Sequence, residues 1–448
     1  MKRFKIEQSN ADIISHAGLA LIGQAINRHT HLSREIDTQV PLRHGIQHSA
    51  VIKSYLAMLC LGKNDFEAIN GIESEDFFLS AMDIDTRPSE ATLRQRLDKR
   101  SERFLPIVAK ANRDFLTHIQ PTLTPVSTGH IPLDGDVTPM DNSRSHKQGV
   151  SRTYKGCDGY APMPFYLGQE EGYCLAFELR EGKQHCQKDT PALLNAALDH
   201  AQKITGEPLL LRLDGGNDAI ENVHVVLEHN RTHPDTAPVD FIIKWNPRQQ
   251  DKAAWLDYAE QHGRWHHPRP GKRVALFTVV DERRWHGHAY RLARIMRLTE
   301  RTIDRQGQCL LTPQIELEGW WCSQPWPEEQ VIELYADHGT SEQFHSEFKT
   351  DLDIERLPSG KFATNALVLT LSMLAYNLLR WIGQQGLLGA HSPKRAPVKR
   401  RRIKTVMQEL IYLAARITHS ARSLTLAFGR GCRAAEAFAR VYHRLAYG

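Results

Sequence analysis

Tyr335-Ala-Asp-His-Gly-Thr-Ser-Glu-Gln-Phe-His-Ser-Glu-Phe-Lys349 is the stretch from which the rest of this chain is read. At 100° per residue, Tyr335, His338, Glu342 and Lys349 fall within about 60° of one another on a helix surface. One face then carries a phenol, an imidazole, a carboxylate and an ammonium. Gly339 disfavours an unbroken helix, and Thr340 with Gln343 three residues on reads as a capping box. A fresh helix is therefore expected at Ser341, with Glu342 in a first turn that favours negative charge. A solvated amphipathic helix has the same spacing, so two aspartates upstream decide the reading.

Ile131-Pro-Leu-Asp134-Gly-Asp136-Val137 alternates and predicts a strand with Asp134 and Asp136 on one side. Asp214 ends a second apolar run, Leu209 to Leu213, and Gly215-Gly216-Asn217-Asp218 follows, where small residues let another backbone approach. Cutting or exchanging a phosphodiester needs two hard cations about 4 Å apart, one on the attacking and one on the leaving oxygen. Such ions take oxygen ligands, and three carboxylates from strand ends and a facing helix suffice. A lone Asp after a strand is most often a turn or cap residue. Two of them followed by a helix bearing Glu342 are harder to explain that way. Asp134 shares the face of Asp136 and is the alternative ligand.

The spacing of Tyr335, His338, Glu342 and Lys349 resembles the Tyr-(2)-Arg-(3)-Glu-(6)-Lys signature of DDE transposases of bacterial insertion sequences, with His338 in place of Arg. Imidazole cannot make the bidentate fork of a guanidinium. Asp136 then resembles the first acid of the triad, Asp214 the second and Glu342 the third, and the segments Lys155 to Pro162 and Arg180 to His185 are similar to segments of one large group of that family. The resemblance implies a ribonuclease-H-like catalytic core and two Mg²⁺ or Mn²⁺ ions held by these three acids. It also implies cutting at terminal inverted repeats and strand transfer into target DNA, with Tyr335, His338 and Lys349 gripping phosphates. A flipped base stacking on an insertion-domain tryptophan makes Trp320 and Trp321 the stacking candidates, a contact stabilising by about 1–3 kcal/mol. Two element ends must meet, which implies a homodimer on DNA. A nuclease without strand transfer and a catalytically decayed DNA-binding protein are the rival readings.

At 448 residues, 41% hydrophobic and 24% charged, the chain is a soluble, multidomain α/β prospect. Residues 1–125 read as a helical DNA-binding domain, 126–245 as the first part of the core and 246–325 as a mostly β insertion. Residues 326–392 read as the second part of the core and 393–448 as a basic helical C-terminus with a hairpin around Arg416 to Phe428. Ser89 caps a helix whose Arg94 and Arg96 are candidate DNA contacts. From residue 393 onward 13 Lys and Arg face only Glu409 and Glu436, a net of +11 that leaves −6 for the rest of a +5 chain. Lys399, Arg400, Arg401 and Arg402 are accordingly expected on a DNA backbone. Seven scattered cysteines without a Cys-x-x-Cys pair fit a reducing cytoplasm, the nucleoid of a bacterium under the resemblance. The apolar run Ala366 to Ile382 is broken by Thr370, Ser372, Asn377 and Arg380 and reads as a buried helix, with no membrane partner. His229 and His233 have the spacing of a zinc pair but no evident third ligand.

Overall fold

The computed structural model describes residues 3–447 other than 9, 305, 421 and 422. Strand β1 (Ile13–Ile14) leads into helices α1 (Leu19–His29), α2 (Leu32–Gln39), α3 (His48–Cys60), α4 (Glu75–Met82) and the long α5 (Glu90–Ile119). Ser89 caps α5 as expected, its hydroxyl accepting from the Thr92 amide at 3.2 Å. Between α3 and α4 the chain makes a 3₁₀ turn, Phe66–Gly71. No regular element occupies 120–130.

After that connection come β2 (Ile131–Gly135), the short β3 (Met140–Asp141), β4 (Ser151–Arg152) and β5 (Asp158–Tyr160), and then β6 (Met163–Leu167) and β7 (Tyr173–Glu178). Helix α6 (Thr190–Ile204), β8 (Leu209–Leu213), α7 (Ile220–Thr232) and β9 (Val239–Lys244) complete an alternating α/β segment. Helix α8 (Lys252–His262) precedes four strands, β10 (Arg264–Arg269), β11 (Lys272–Trp285), β12 (His288–Ile303) and β13 (Cys309–Cys322). Among the described residues nine of these strands form one sheet in the order β10-β11-β12-β13-β9-β8-β2-β6-β7. β2, β8 and β9 run parallel, β6 and β7 antiparallel. The long strands thus extend the central sheet, joined where Trp320–Cys322 pair with Ile242–Lys244.

The two faces of the sheet are built from alternate residues. Leu209, Leu211 and Leu213 belong to the main core, whereas Leu210 and Ile242 pack with Trp320, Val331 and Leu334 in a second cluster under α9 (Glu328–Ala336). Behind α9 follow a 3₁₀ turn (Asp337–Thr340), α10 (Ser341–Ser346) and a π-helical turn (Glu347–Asp351). Gly172 lets this segment approach, because with φ +58° it sits where an added Cβ would lie 2.2 Å from Phe344.

Helix α11 (Phe362–Gly386) is long and apolar enough to cross a membrane, and is buried here as the spine against which α5 and β7 pack. Its Asn377 covers the sheet edge, accepting from the Cys174 amide at 2.9 Å and donating to the Cys174 carbonyl at 2.7 Å. After α12 (Ile403–Val406), β14 (Ala415–Ser420) and β15 (Ser423–Phe428) form the expected hairpin, though residues 421 and 422 at its turn lie outside the described residues. β14 also pairs with β1, and the last helix α13 (Ala435–Tyr447) packs on α1, so the two ends of the chain meet.

Candidate active site

Asp136 stands one residue past the end of β2 and Asp214 one past β8, on neighbouring parallel strands. Gly135 before Asp136 is tightly packed, since a Cβ there would lie 2.5 Å from the Phe165 ring. Asn217, in the turn after β8, donates from Nδ2 to Asp214 Oδ1 at 2.7 Å and fixes that carboxylate. Burial first, and the Asp214 carboxylate second, push the Asp136 carboxyl up from 3.8 to about 7, against the opposing pull of His338, the Val137 amide and Lys155. Two carboxylates crowded so that one holds its proton near neutrality form a site that favours a cation.

Tyr154 lies in the electrostatic field of both aspartates and, more weakly, of Glu342. The Tyr154 ring is 68% exposed, but its hydroxyl turns inward, 3.4 Å from the Val137 carbonyl. That hydroxyl is pushed up to about 12 by burial, then by Asp136, Asp214, Cys186 and Glu342. One oxygen therefore feels all three acids. Glu342 itself is exposed and makes no ion pair or hydrogen bond among the described residues. Among the described residues no three His, Cys, Asp or Glu side chains are gathered to hold a metal. In type and placement the acids suit a hard cation, with Glu342 the carboxylate left to come in.

Asp134 is excluded as a ligand by its own partner. It is the register partner of Arg212, so both project from one face of the sheet. Arg212 donates from Nε to Oδ1 at 2.6 Å and from Nη2 to Oδ2 at 2.7 Å, and the pair is 2% and 0% exposed. Burial would raise the Asp134 carboxyl, but Arg212 and then His338 outweigh it and hold it below the usual range. The remaining Arg212 donors reach the Leu334 carbonyl at 2.7 Å and Gln169 at 2.6 Å. This arginine thereby ties α9 to the strand preceding Asp214.

The helical segment departs from its expected cap. Thr340 makes no capping bond and accepts instead from Gln169 Nε2 at 2.9 Å, so the break is a change from 3₁₀ to α winding rather than a new capped start. Tyr335, His338 and Lys349 all lie within electrostatic reach of Asp136. The Tyr335 phenol is raised by burial and then by Asp214, Asp136 and Asp134. His338 is buried, with Nδ1 3.1 Å from Asp134 Oδ1, and so positions Asp134 instead of meeting a phosphate. Lys349 donates to the Pro139 carbonyl and lies 3.8 Å from Glu355, its ammonium pulled down by burial despite that acid.

Several expected DNA contacts are occupied within the chain. Arg400 pairs with buried Glu347 and donates to Gln343 at 2.7 Å; Arg402 pairs with Asp351 at 2.8 Å. Arg401 donates to the carbonyls of Leu387, Lys394 and Ala396, and Lys399 lies 3.4 Å from Glu170. The basic stretch is thus a brace around the helix bearing Glu342. Arg94 pairs with Glu90 at 3.0 Å, and Arg96 lies 3.2 Å from His48 Nδ1. Trp320 and Trp321 are corrected as stacking platforms. They are 2% and 4% exposed; Trp320 lies between Tyr335 and Arg297, and Trp321 donates to Asp218 at 3.0 Å under Arg283 and Arg294. Rings so enclosed have no face left for a base. His229 and His233 stack on each other at 4.4 Å, with Asp199 3.5 Å from His229.

Sequence reasoning gave no role to Tyr154 and Lys155. Lys155 is exposed, without a carboxylate partner among the described residues, and acts electrostatically on Asp136, His345 and Lys349. The available signal was the turn Tyr154-Lys155-Gly156 between two short strands, with Gly156 at φ +82°.

A pH dependence follows from Asp136. Its carboxyl is held protonated up to about 7 in the fold against 3.8 for the free group. The native state binds the extra proton, so stability falls as pH rises through that window. A bound divalent cation must displace this proton. Thermal stabilisation by Mn²⁺ is expected to be small well below pH 7 and to grow above it, with proton release on binding seen by calorimetry. Asp136→Asn is expected to flatten both. Cation stabilisation independent of pH across that range would contradict the assignment.

A family description, transposase DDE domain group 1, matches residues 1–447, and the chain belongs to that family of DDE transposases. No curated protein matches it. Among solved structures it is similar to piggyBac transposase in a synaptic complex with hairpin DNA, at 10% identity and a TM-score of 0.40, covering 90% of this chain and 82% of that one.

Proposed function

We propose that this transposase cuts the ends of an insertion sequence and joins them to target DNA, with Asp136, Asp214 and Glu342 holding two Mg²⁺ or Mn²⁺ ions. The observation that supports the reading is the placement of Asp136 and Asp214 one residue past the ends of adjacent parallel strands, near enough that the Asp214 carboxylate helps raise the Asp136 carboxyl. The sheet order supports a ribonuclease-H-like core. From β7 through β6, β2 and β8 to β9, the first core strand is central and carries the first acid at its end. The bound cations would supply Lewis-acid stabilisation of the attacking and leaving oxygens.

The chain's own residues have separable parts. Asp136, whose proton is readily displaced near neutrality, and Asp214, held by Asn217, form the fixed half of the ligand set. Glu342, exposed on a braced helix, completes it. Tyr335 and Lys155 face the acids with a phenol and an ammonium suited to phosphate oxygens. Arg212 and His338 keep Asp134 neutralised beside them. Cleavage in two element ends implies a homodimer on double-stranded DNA, in the nucleoid of a bacterial cytoplasm.

The test is incubation of purified protein with DNA carrying its flanking element ends, target plasmid and Mg²⁺. Released ends covalently joined to target support the reading. Nicking without any joined product replaces it with a nuclease, and duplex binding without cutting replaces it with a decayed DNA-binding protein.

A further inference from the structure

The charge that the sequence concentrates at 394–404 is folded onto Glu347, Asp351, Glu170 and Glu409, so backbone-binding charge must be sought elsewhere. A groove of about 550 Å³ lies between the α1–α2 turn, the end of α5 and the end of α6. Its rim carries Arg28, His31, Arg113, His118 and Lys203. Arg113 and Lys203 are exposed, and neither side chain has an ion pair or hydrogen bond among the described residues. The one carboxylate lining the groove, Asp114, is already held by Lys110 at 2.6 Å, and Glu35 takes the same ammonium at 2.7 Å.

The floor is uncharged. Burial pushes His29 and His200 down to about 4, and each leaves Nδ1 without a hydrogen-bond partner among the described residues. Cations on three separate elements, spread along a rim above a neutral floor, do not converge on one small anion. They match an extended polyanion.

We propose that this groove docks the phosphate backbone of duplex DNA away from the reacting phosphate; the choice of DNA rests on the transposase reading above. Helix α6 sets the separation. Near its start Cys186 donates to the Gly216 carbonyl beside Asp214, and Lys203 stands at its other end. Its 15 residues place the groove about 20 Å from the acids. Docking there and chemistry at the acids are therefore separable.

The experiment is fluorescence anisotropy of a labelled random-sequence duplex of about 20 bp, two helical turns, titrated with full-length protein at several salt concentrations. Arg113→Ala with Lys203→Ala is expected to weaken binding roughly 10-fold near physiological salt and to lower the slope of log K against log salt by about 1.8. Lys203→Ala alone should give about half that slope change, and both variants should keep the wild-type unfolding midpoint, because neither side chain has a partner to lose. Wild-type affinity and slope in the double variant would overturn the groove and leave the transposase reading standing. Failure of the wild-type protein to bind duplex at all would overturn both.

Discussion

Asp136→Asn and Asp214→Asn are each expected to lower DNA end cleavage by at least about 10³-fold, roughly 4 kcal/mol of transition-state stabilisation, with the fold retained. The effect is large because each substitution removes a negative ligand from a site that has only three carboxylates. The fold should survive for a particular reason in each case. Asp136 already carries its proton near neutrality, so the amide is a close isostere of the native group. Asp214 loses only the charge that Asn217 addresses. Glu342→Gln should cost a comparable factor with no change in stability, since Glu342 is exposed and unpaired among the described residues. The readout is single-turnover cleavage of a pre-bound DNA end, alongside an unfolding midpoint. Cleavage within tenfold of wild type for either aspartate variant would remove that residue from the ligand set.

Asp134→Ala is expected to act the other way, destabilising the protein by about 3–5 kcal/mol whatever its effect on chemistry. The cost comes from the partner left behind. Arg212 is 0% exposed and would keep a charge in the core with only a carbonyl and an amide oxygen to receive it. Replacing both members, Asp134→Leu with Arg212→Met, is expected to recover most of the loss, because a buried ion pair and its apolar isostere are nearly equal in free energy. Urea unfolding measures both variants. A loss under about 1 kcal/mol in Asp134→Ala would mean that the pair does not anchor α9 to the sheet.

The two aspartates were legible because each follows a short apolar run with strand character, Asp136 in phase with Asp134 on one side of it. Ser89, α5 and α11 were legible from capping and from the pattern of apolar residues. β6 was not, because Pro164 within Met163–Leu167 argues against a strand by local rules while register with β2 and β7 overrides them. The π-helical turn at Glu347–Asp351 leaves no periodic trace either. The main misreadings concern charge. Arg400 and Arg402 look like a free basic run until Glu347 and Asp351, about fifty positions earlier, fold beneath them. His338 fits a phosphate-binding spacing, but burial beside Asp134 makes it a positioning group. Trp320 and Trp321 are adjacent and so face opposite sides of one sheet, both covered.

Anomalous scattering from crystals of the protein soaked in Mn²⁺ tests the central claim most directly. Manganese is expected within about 2.2 Å of carboxylate oxygens of both Asp136 and Asp214, with Glu342 turned in to share it and Asp134 still on Arg212. Manganese bound elsewhere, or held by Asp134 with Asp136 and Asp214 free, would contradict it.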